Sequence, residues 1–383
     1  MKILTNARFT KIAGIAQALS SFLNFVQESD KEKTNVVGVD IVQKERNEQS
    51  FATETIEEGK FKKITTKIDI PKLSDAVEAS ANIEEFKSKF GEVIEGYKKA
   101  IESESPDIIL INGTFYAPWC LLLASKQTKI PTVLHYHGSI SKETSHFKEK
   151  SRSLMLEMEK TFDSGSTFYI FPSNLTKETV EKEVFGHAVN SSAVLPNAIP
   201  LHFFDAKAQV NKANKKKVGM VGRWTRVKNP EFFKRLALYN QKKGGRFSIH
   251  AVTDLKRNSE DKQMLNGLVK FRRPVENEFM AKFYQEMGSI ICPSHFETYG
   301  NVAQEALACG TPALVGANMG VSETFQNLGL NNWIIDFNSL PAVYKKMEEV
   351  SGEVVPTEVR DKMREMYSPA AVHGQMLNIL KSV

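Results

Sequence analysis

Apolar positions along the chain follow two alternating rhythms. Residues 2–4, 36–42, 64–70, 107–111, 132–136 and 167–171 form short β-branched or alternating runs, the pattern of strands. Between them apolar residues recur every three or four positions. Ile12, Ile15, Leu19, Phe22 and Val26 predict one amphipathic helix, and Ile83, Phe86, Phe90, Val93, Tyr97 and Ile101 predict another. Residues 116–126, 147–162 and 175–184 read as further helices. Strands that alternate with helices imply βαβ units, because parallel neighbours need a crossover.

The rhythm breaks over residues 195–217, where Asn197-Ala-Ile-Pro200 punctuates the chain and a polar, lysine-rich run follows. It then restarts, with strands expected at 218–221, 247–252, 268–271, 289–292, 312–315 and 333–335. Helices are expected from Pro230 and over 277–287 and 303–309. The expected fold is α/β, with two Rossmann-like doubly wound parallel-sheet domains facing a cleft. The domains are read as residues 1–200 and 201–366, followed by a helix over 367–383. Such sheets take ligands at the C-terminal ends of their strands.

Composition narrows the partners. The 383 residues are 41% hydrophobic and 25% charged, which excludes a disordered or fibrous chain. The net charge of +6 favours anionic ligands or an anionic membrane surface and is too modest for nucleic acid. Cys120, Cys292 and Cys309 read as core thiols of a reducing compartment, with no metal-ligand spacing. Polar residues interrupt the run over 12–26, so it reads as a folded helix and not a secretory signal, and no stretch is long enough to span a bilayer. The expected location is cytoplasmic, with peripheral contact at the inner membrane face.

Two blocks carry the chemistry. In Val221-Gly-Arg-Trp-Thr-Arg-Val-Lys-Asn-Pro230 an apolar strand runs into Arg223 and Lys228, and Asn229-Pro230 opens a helix. Two cations beside a helix start suit a diphosphate. The second block runs from Cys292 to Pro312. A strand ends in Pro293-Ser294, a loop carries Glu297, and Gly300 and Asn301 open a helix that bears Glu305 on the face of Asn301. The first amides of that helix, through Val302, suit phosphate oxygens, and the carboxylates suit hydroxyls at either end of one ligand.

The Glu297-x7-Glu305 pair, the preceding Pro-Ser-x-x-Glu, the following Ala-x-Gly-x-Pro and the upstream Gly-Arg-x4-Lys together resemble family-4 retaining glycosyltransferases of GT-B fold. The resemblance implies a metal-independent, hexosyl-type transferase that uses a UDP- or GDP-sugar as co-substrate and needs no other cofactor. It implies that Arg223 and Lys228 hold the diphosphate, Glu297 the sugar hydroxyls and Glu305 the ribose. The acceptor is expected to be a saccharide or a lipid-linked saccharide, as in cell-envelope polysaccharide biosynthesis. Its contacts are expected on loops over residues 42–62 and 139–150.

The first half adds two candidates. Gly14 stands where the family carries adjacent glycines near the leaving phosphate, with Ala13 in the other place. In Thr132-Val-Leu-His-Tyr-His-Gly138 a strand ends at a histidine pair, and the resemblance makes His137 a contact of the transferred sugar. A catalytically silent GT-B subunit and a nucleotide-sugar epimerase are the alternatives. The intact Arg223, Lys228, Glu297 and Glu305 weigh against the first, and Gly-Arg-x4-Lys against the second.

Overall fold

The computed structural model describes residues 1–7, 14–28, 33–144, 147–165, 167–206 and 215–383. Its chain divides into two compact units, Met1–Leu195 with His373–Val383, and Pro196–Val372. The excess of Lys and Arg over Asp and Glu lies wholly in the second unit, and the first is close to neutral.

The first unit holds an eight-stranded sheet of β1 (Lys2–Asn6), β2 (Asn35–Gln43), β3 (Ala52–Glu58), β4 (Phe61–Ile68), β5 (Ile108–Asn112), β6 (Thr132–His135), β7 (Thr167–Phe171) and β8 (Ser192–Val194). Its order is β3-β4-β2-β1-β5-β6-β7-β8. Every pair is parallel except β3 with β4. The neighbours Ile3 and Leu4, Val36 and Val37, and Ile108 and Ile109 point to opposite faces and are all buried, as strands covered on both faces require. Trp119 stacks on Phe86 at 5.7 Å and meets Phe90 edge-on, filling the space under two helices.

Two expectations are corrected here. The single helix read over 83–101 is two, Ile83–Lys89 and Gly91–Glu104. Phe90 leaves helical geometry between them (φ −100°, ψ 16°), yet both helices turn their apolar residues to one core, so the periodicity runs on across the break. Residues 42–62 are not a free loop, because β3 pairs antiparallel with β4 from Ala52↔Lys67 to Glu58↔Phe61. All of β3 is exposed, so it carries no buried face for a hydrophobic pattern to reveal.

The second unit holds five parallel strands, β9 (Lys217–Val221), β10 (Ser248–Val252), β11 (Val269–Arg272), β12 (Ser289–Cys292) and β13 (Ala313–Val315), in the order β11-β10-β9-β12-β13. Phe232, Phe233 and Leu236 of helix Pro230–Lys242 pack with Ile249, Ile290 and Leu314 in one core. The strand expected at 333–335 is instead a 3-10 turn, Asn331–Trp333, followed by one bridge from Ile334 to Val315. Both units are Rossmann-like α/β units on largely parallel sheets.

Candidate active site

In the second sheet the connections turn opposite ways from the neighbours β9 and β12, which makes the carboxyl ends of these strands the topological switch point. After β9 the chain passes Gly222 and Arg223, makes a 3-10 turn at Arg226–Lys228 and enters helix Pro230–Lys242 through Asn229. Asn229 is left-handed (φ 54°, ψ 55°), a conformation Asn tolerates better than most residues. Its Oδ1 accepts from Phe232 N at 3.1 Å and caps the helix, while its Nδ2 donates to Pro293 O at 3.1 Å. His295 N donates to Val227 O at 2.8 Å. These bonds zip the loop after β9 to the loop after β12.

The zipper brings the two motifs together. Lys228 Nζ lies 2.8 Å from Glu297 Oε2, and Ser294 Oγ donates to Glu297 Oε1 at 2.6 Å. Arg223 is exposed. The Glu297 loop is braced from the far side: Gly320 N donates to Glu297 O at 3.0 Å, and Asn318 Nδ2 donates to Ser294 O at 2.9 Å. Gly300 sits at φ 120°, and a Cβ there would stand 3.0 Å from Met319 Cε and from Val321 Cγ1. Backbone geometry and packing therefore both demand glycine, apart from any ligand.

Helix Asn301–Ala308 starts directly after Gly300. The amides of Asn301 and Val302 precede any intrahelical acceptor and stand at the positive end of the helix. Asn301 Oδ1 accepts from Asn197 Nδ2 at 2.8 Å. Glu305, one turn on, is buried. Its Oε2 accepts from Tyr284 OH at 2.7 Å, and its Oε1 lies 3.5 Å from Asn277 Nδ2. Burial pushes its carboxyl up to about 7 against the opposing pull of these two donors. Arg223, Lys228, Glu297, Gly300, Asn301, Val302 and Glu305 thus share the carboxyl edge of one sheet. Sequence reasoning named Ser294 only as part of the Pro-Ser-x-x-Glu motif, and it missed Asn277 and Tyr284.

The other two candidates belong to the first unit. Gly14 begins helix Gly14–Glu28, and residues 8–13, including Ala13, lie outside the described residues. His137 follows β6 with its ring 3.7 Å from that of His135, and burial lowers its pKa to about 4, which leaves it neutral at physiological pH. The loop that carries it is anchored by the fully buried Glu159. That carboxylate accepts from Tyr136 OH at 2.7 Å, Ile140 N at 2.8 Å and Ser141 N at 2.7 Å. Among the described residues no group of His, Cys, Asp or Glu is arranged to hold a metal ion. Among the same residues no helix is long and apolar enough to cross a membrane.

Comparison with known proteins agrees with this architecture. The family described as Glycosyl transferases group 1 matches residues 203–366, and Glycosyltransferase Family 4 matches residues 83–203. D-inositol 3-phosphate glycosyltransferases of Thermomonospora curvata and Streptomyces scabiei are 35% and 31% identical over 97 and 108 residues, 25% and 28% of this chain. A third, from Frankia alni, is 39% identical over 57 residues, 15% of this chain. The matched stretches span only 20%, 23% and 14% of those relatives' own length.

Among solved structures, a sucrose-phosphate synthase from Thermosynechococcus elongatus aligns with all of this chain and 98% of its own, at TM-score 0.73 and 16% identity. A trehalose-6-phosphate structure from E. coli, bound with UDP-2-fluoro glucose, aligns with 100% of this chain and 99% of its own, at TM-score 0.70 and 11% identity. Two adjoining family matches that together cover more than half of the sequence, on two Rossmann-like units, place the chain in the family-4 glycosyltransferases of GT-B fold.

Proposed function

We propose that this chain transfers a hexosyl-type sugar from a nucleoside-diphosphate sugar, UDP- or GDP-linked, to a saccharide or lipid-linked acceptor with retention of configuration. The observation that carries this reading is the Lys228–Glu297 pair, held at the switch point beside the N-terminus of helix Asn301–Ala308. A cation, an exposed guanidinium at Arg223 and helix amides suit a diphosphate. A carboxylate with one oxygen on Lys228 and the other on Ser294 keeps lone pairs for sugar hydroxyls.

In this reading Arg223, Lys228 and the amides of Gly300, Asn301 and Val302 take the diphosphate and stabilise it as it departs. Glu297 orients the sugar and Glu305 accepts from the ribose. His137, neutral at physiological pH, contacts the transferred sugar, and Gly14 stands near the leaving phosphate. The departing phosphate accepts the acceptor's proton on the face it leaves, so no protein nucleophile is needed. Charge compensation by these residues implies transfer without a divalent cation. The setting we propose is cytoplasmic, at the inner membrane face, in cell-envelope polysaccharide assembly.

Incubation of the protein with UDP- and GDP-sugars and candidate acceptors, with nucleotide release followed over time, tests the proposal. Release that depends on acceptor and on both Lys228 and Glu297 is expected. Absence of release with every donor, by protein that also binds neither UDP nor GDP in calorimetry, would refute it.

A further inference from the structure

We propose that Tyr284 is the positioning residue of the ribose site: its hydroxyl fixes one oxygen of Glu305, so that the other is presented to the ligand. The inference rests on the donor reading above and adds to it a residue that neither motif contains. Tyr284 lies in helix Asn277–Gln285, outside both blocks, and its side chain is fully buried. Its ring packs against Phe203 and Phe283 with centroids 5.9 and 6.0 Å apart. Its backbone carbonyl accepts from Thr311 Oγ1 at 2.8 Å. The ring therefore has no freedom to withdraw its hydroxyl from Glu305 Oε2, 2.7 Å away.

The two oxygens of Glu305 are treated unequally. Oε2 receives a short bond from a rigid donor, whereas Oε1 has Asn277 Nδ2 at 3.5 Å, the outer limit of a hydrogen bond. A buried carboxylate with one oxygen this weakly served is open to a further donor, and a ribose hydroxyl is one. Tyr284 also favours the ionised form that can accept. Burial raises the Glu305 carboxyl, and the bond from Tyr284 is the larger of the two contributions that lower it. The other groups facing this carboxylate are the buried thiols of Cys292 and Cys309, with His202 behind Asn277. Burial lowers the His202 pKa below the usual imidazole value.

The test is the ratio of affinities for UDP and its 2′-deoxy and 3′-deoxy counterparts, or for GDP and its counterparts if GDP binds the wild-type chain, measured by calorimetry from pH 6 to 8. Ionisation of the diphosphate itself is common to all of these ligands and cancels in the ratio. Wild-type protein is expected to prefer the ribonucleotide about 10-fold, with the preference rising through a midpoint near 7. Tyr284→Phe is expected to reduce the preference at pH 7 and move its midpoint upward. A fluorinated tyrosine at position 284 keeps the ring and donates more strongly, so it should move the midpoint downward, and it serves if the Phe variant fails to fold. A preference unchanged in size and midpoint in the Phe variant, or in the fluorinated one, overturns the role of Tyr284. Wild-type protein that binds the ribonucleotide no more tightly than either deoxy counterpart overturns the ribose assignment itself, and protein that binds neither UDP nor GDP overturns the donor reading.

Discussion

Lys228 Nζ and Glu297 Oε2 lie 2.8 Å apart on loops that leave neighbouring strands. The pair is only partly exposed, so solvent screening weakens it without abolishing it. In the proposed reading a diphosphate that enters the site shares Lys228 with a carboxylate already in place. Lys228→Ala and Arg223→Ala should each lower turnover by tens- to thousands-fold, about 2–4 kcal/mol of lost charge stabilisation, without loss of fold. Steady-state rates and circular dichroism check this. EDTA should leave the wild-type rate unchanged.

The two glutamates should separate by ligand. Glu305→Ala is expected to weaken free nucleoside diphosphate and nucleotide-sugar alike, by about 1.5–3 kcal/mol. Glu297→Ala is expected to leave free nucleotide binding undiminished while transfer is lost, because in the proposed reading its carboxylate takes the sugar hydroxyls. Calorimetric titration of both variants with UDP and GDP decides it, and weakened nucleotide binding in Glu297→Ala alone would reverse the donor's orientation.

Glu305 also makes stability depend on pH. Burial raises its carboxyl from the ordinary 4.5 to about 7 in the folded chain, so the folded state holds this proton more tightly than the unfolded state. Its contribution is full below pH 4.5 and is lost as pH rises through 7, about 3 kcal/mol in all. His137, His250 and His373, lowered to about 4 by burial, act in the opposite sense. They are common to wild type and Glu305→Gln and cancel in the comparison. Urea unfolding at pH 5 and pH 8 should show wild type losing more stability than the variant over that interval.

Asn229 joins a helix cap to the loop zipper. Asn229→Ala removes the bonds to Phe232 N and Pro293 O and puts a Cβ-bearing residue without a polar side chain at φ 54°. A loss of about 2 kcal/mol in urea unfolding is expected. Asn229→Gly should cost less because glycine accepts the backbone. Both variants should weaken donor binding, since both remove the Asn229 bond that ties the loop carrying Lys228 to Pro293 O.

Glu159 should tolerate little. Replacement by Ala leaves Tyr136 OH and the amides of Ile140 and Ser141 without their acceptor in a buried site, an expected cost of about 3 kcal/mol. Glu159→Gln keeps one accepting oxygen and should lie between the two. Melting temperatures of the three proteins give the order.

Most strands and helices were legible because buried β-branched runs and three-four periodicity report directly on packing. The Asn229-Pro230 helix start is visible as a cap followed by a residue with fixed φ, and the structure puts both there. The solvent-exposed β3 left no such trace, and the break at Phe90 is a backbone event hidden under an unbroken apolar stripe. At the site, Lys228 and Glu297 could be read as members of motifs. Their contact is set by the order of strands in a sheet, which local spacing does not encode. Tyr284 and Glu159 acquire a role only through a partner distant in sequence.

The segment His373–Val383 belongs to the same unit as Met1–Leu195, and His373 Nε2 meets Ser21 Oγ at 2.9 Å with its ring against Phe22 and Phe25. During synthesis the first unit leaves the ribosome well before this segment exists. Until then the faces of Phe22 and Phe25 lack one of their aromatic partners, and the second unit can fold to completion first. The unit begun first is thus the one finished last. Deletion from His373 onward should leave the second unit intact while exposing apolar surface on the first.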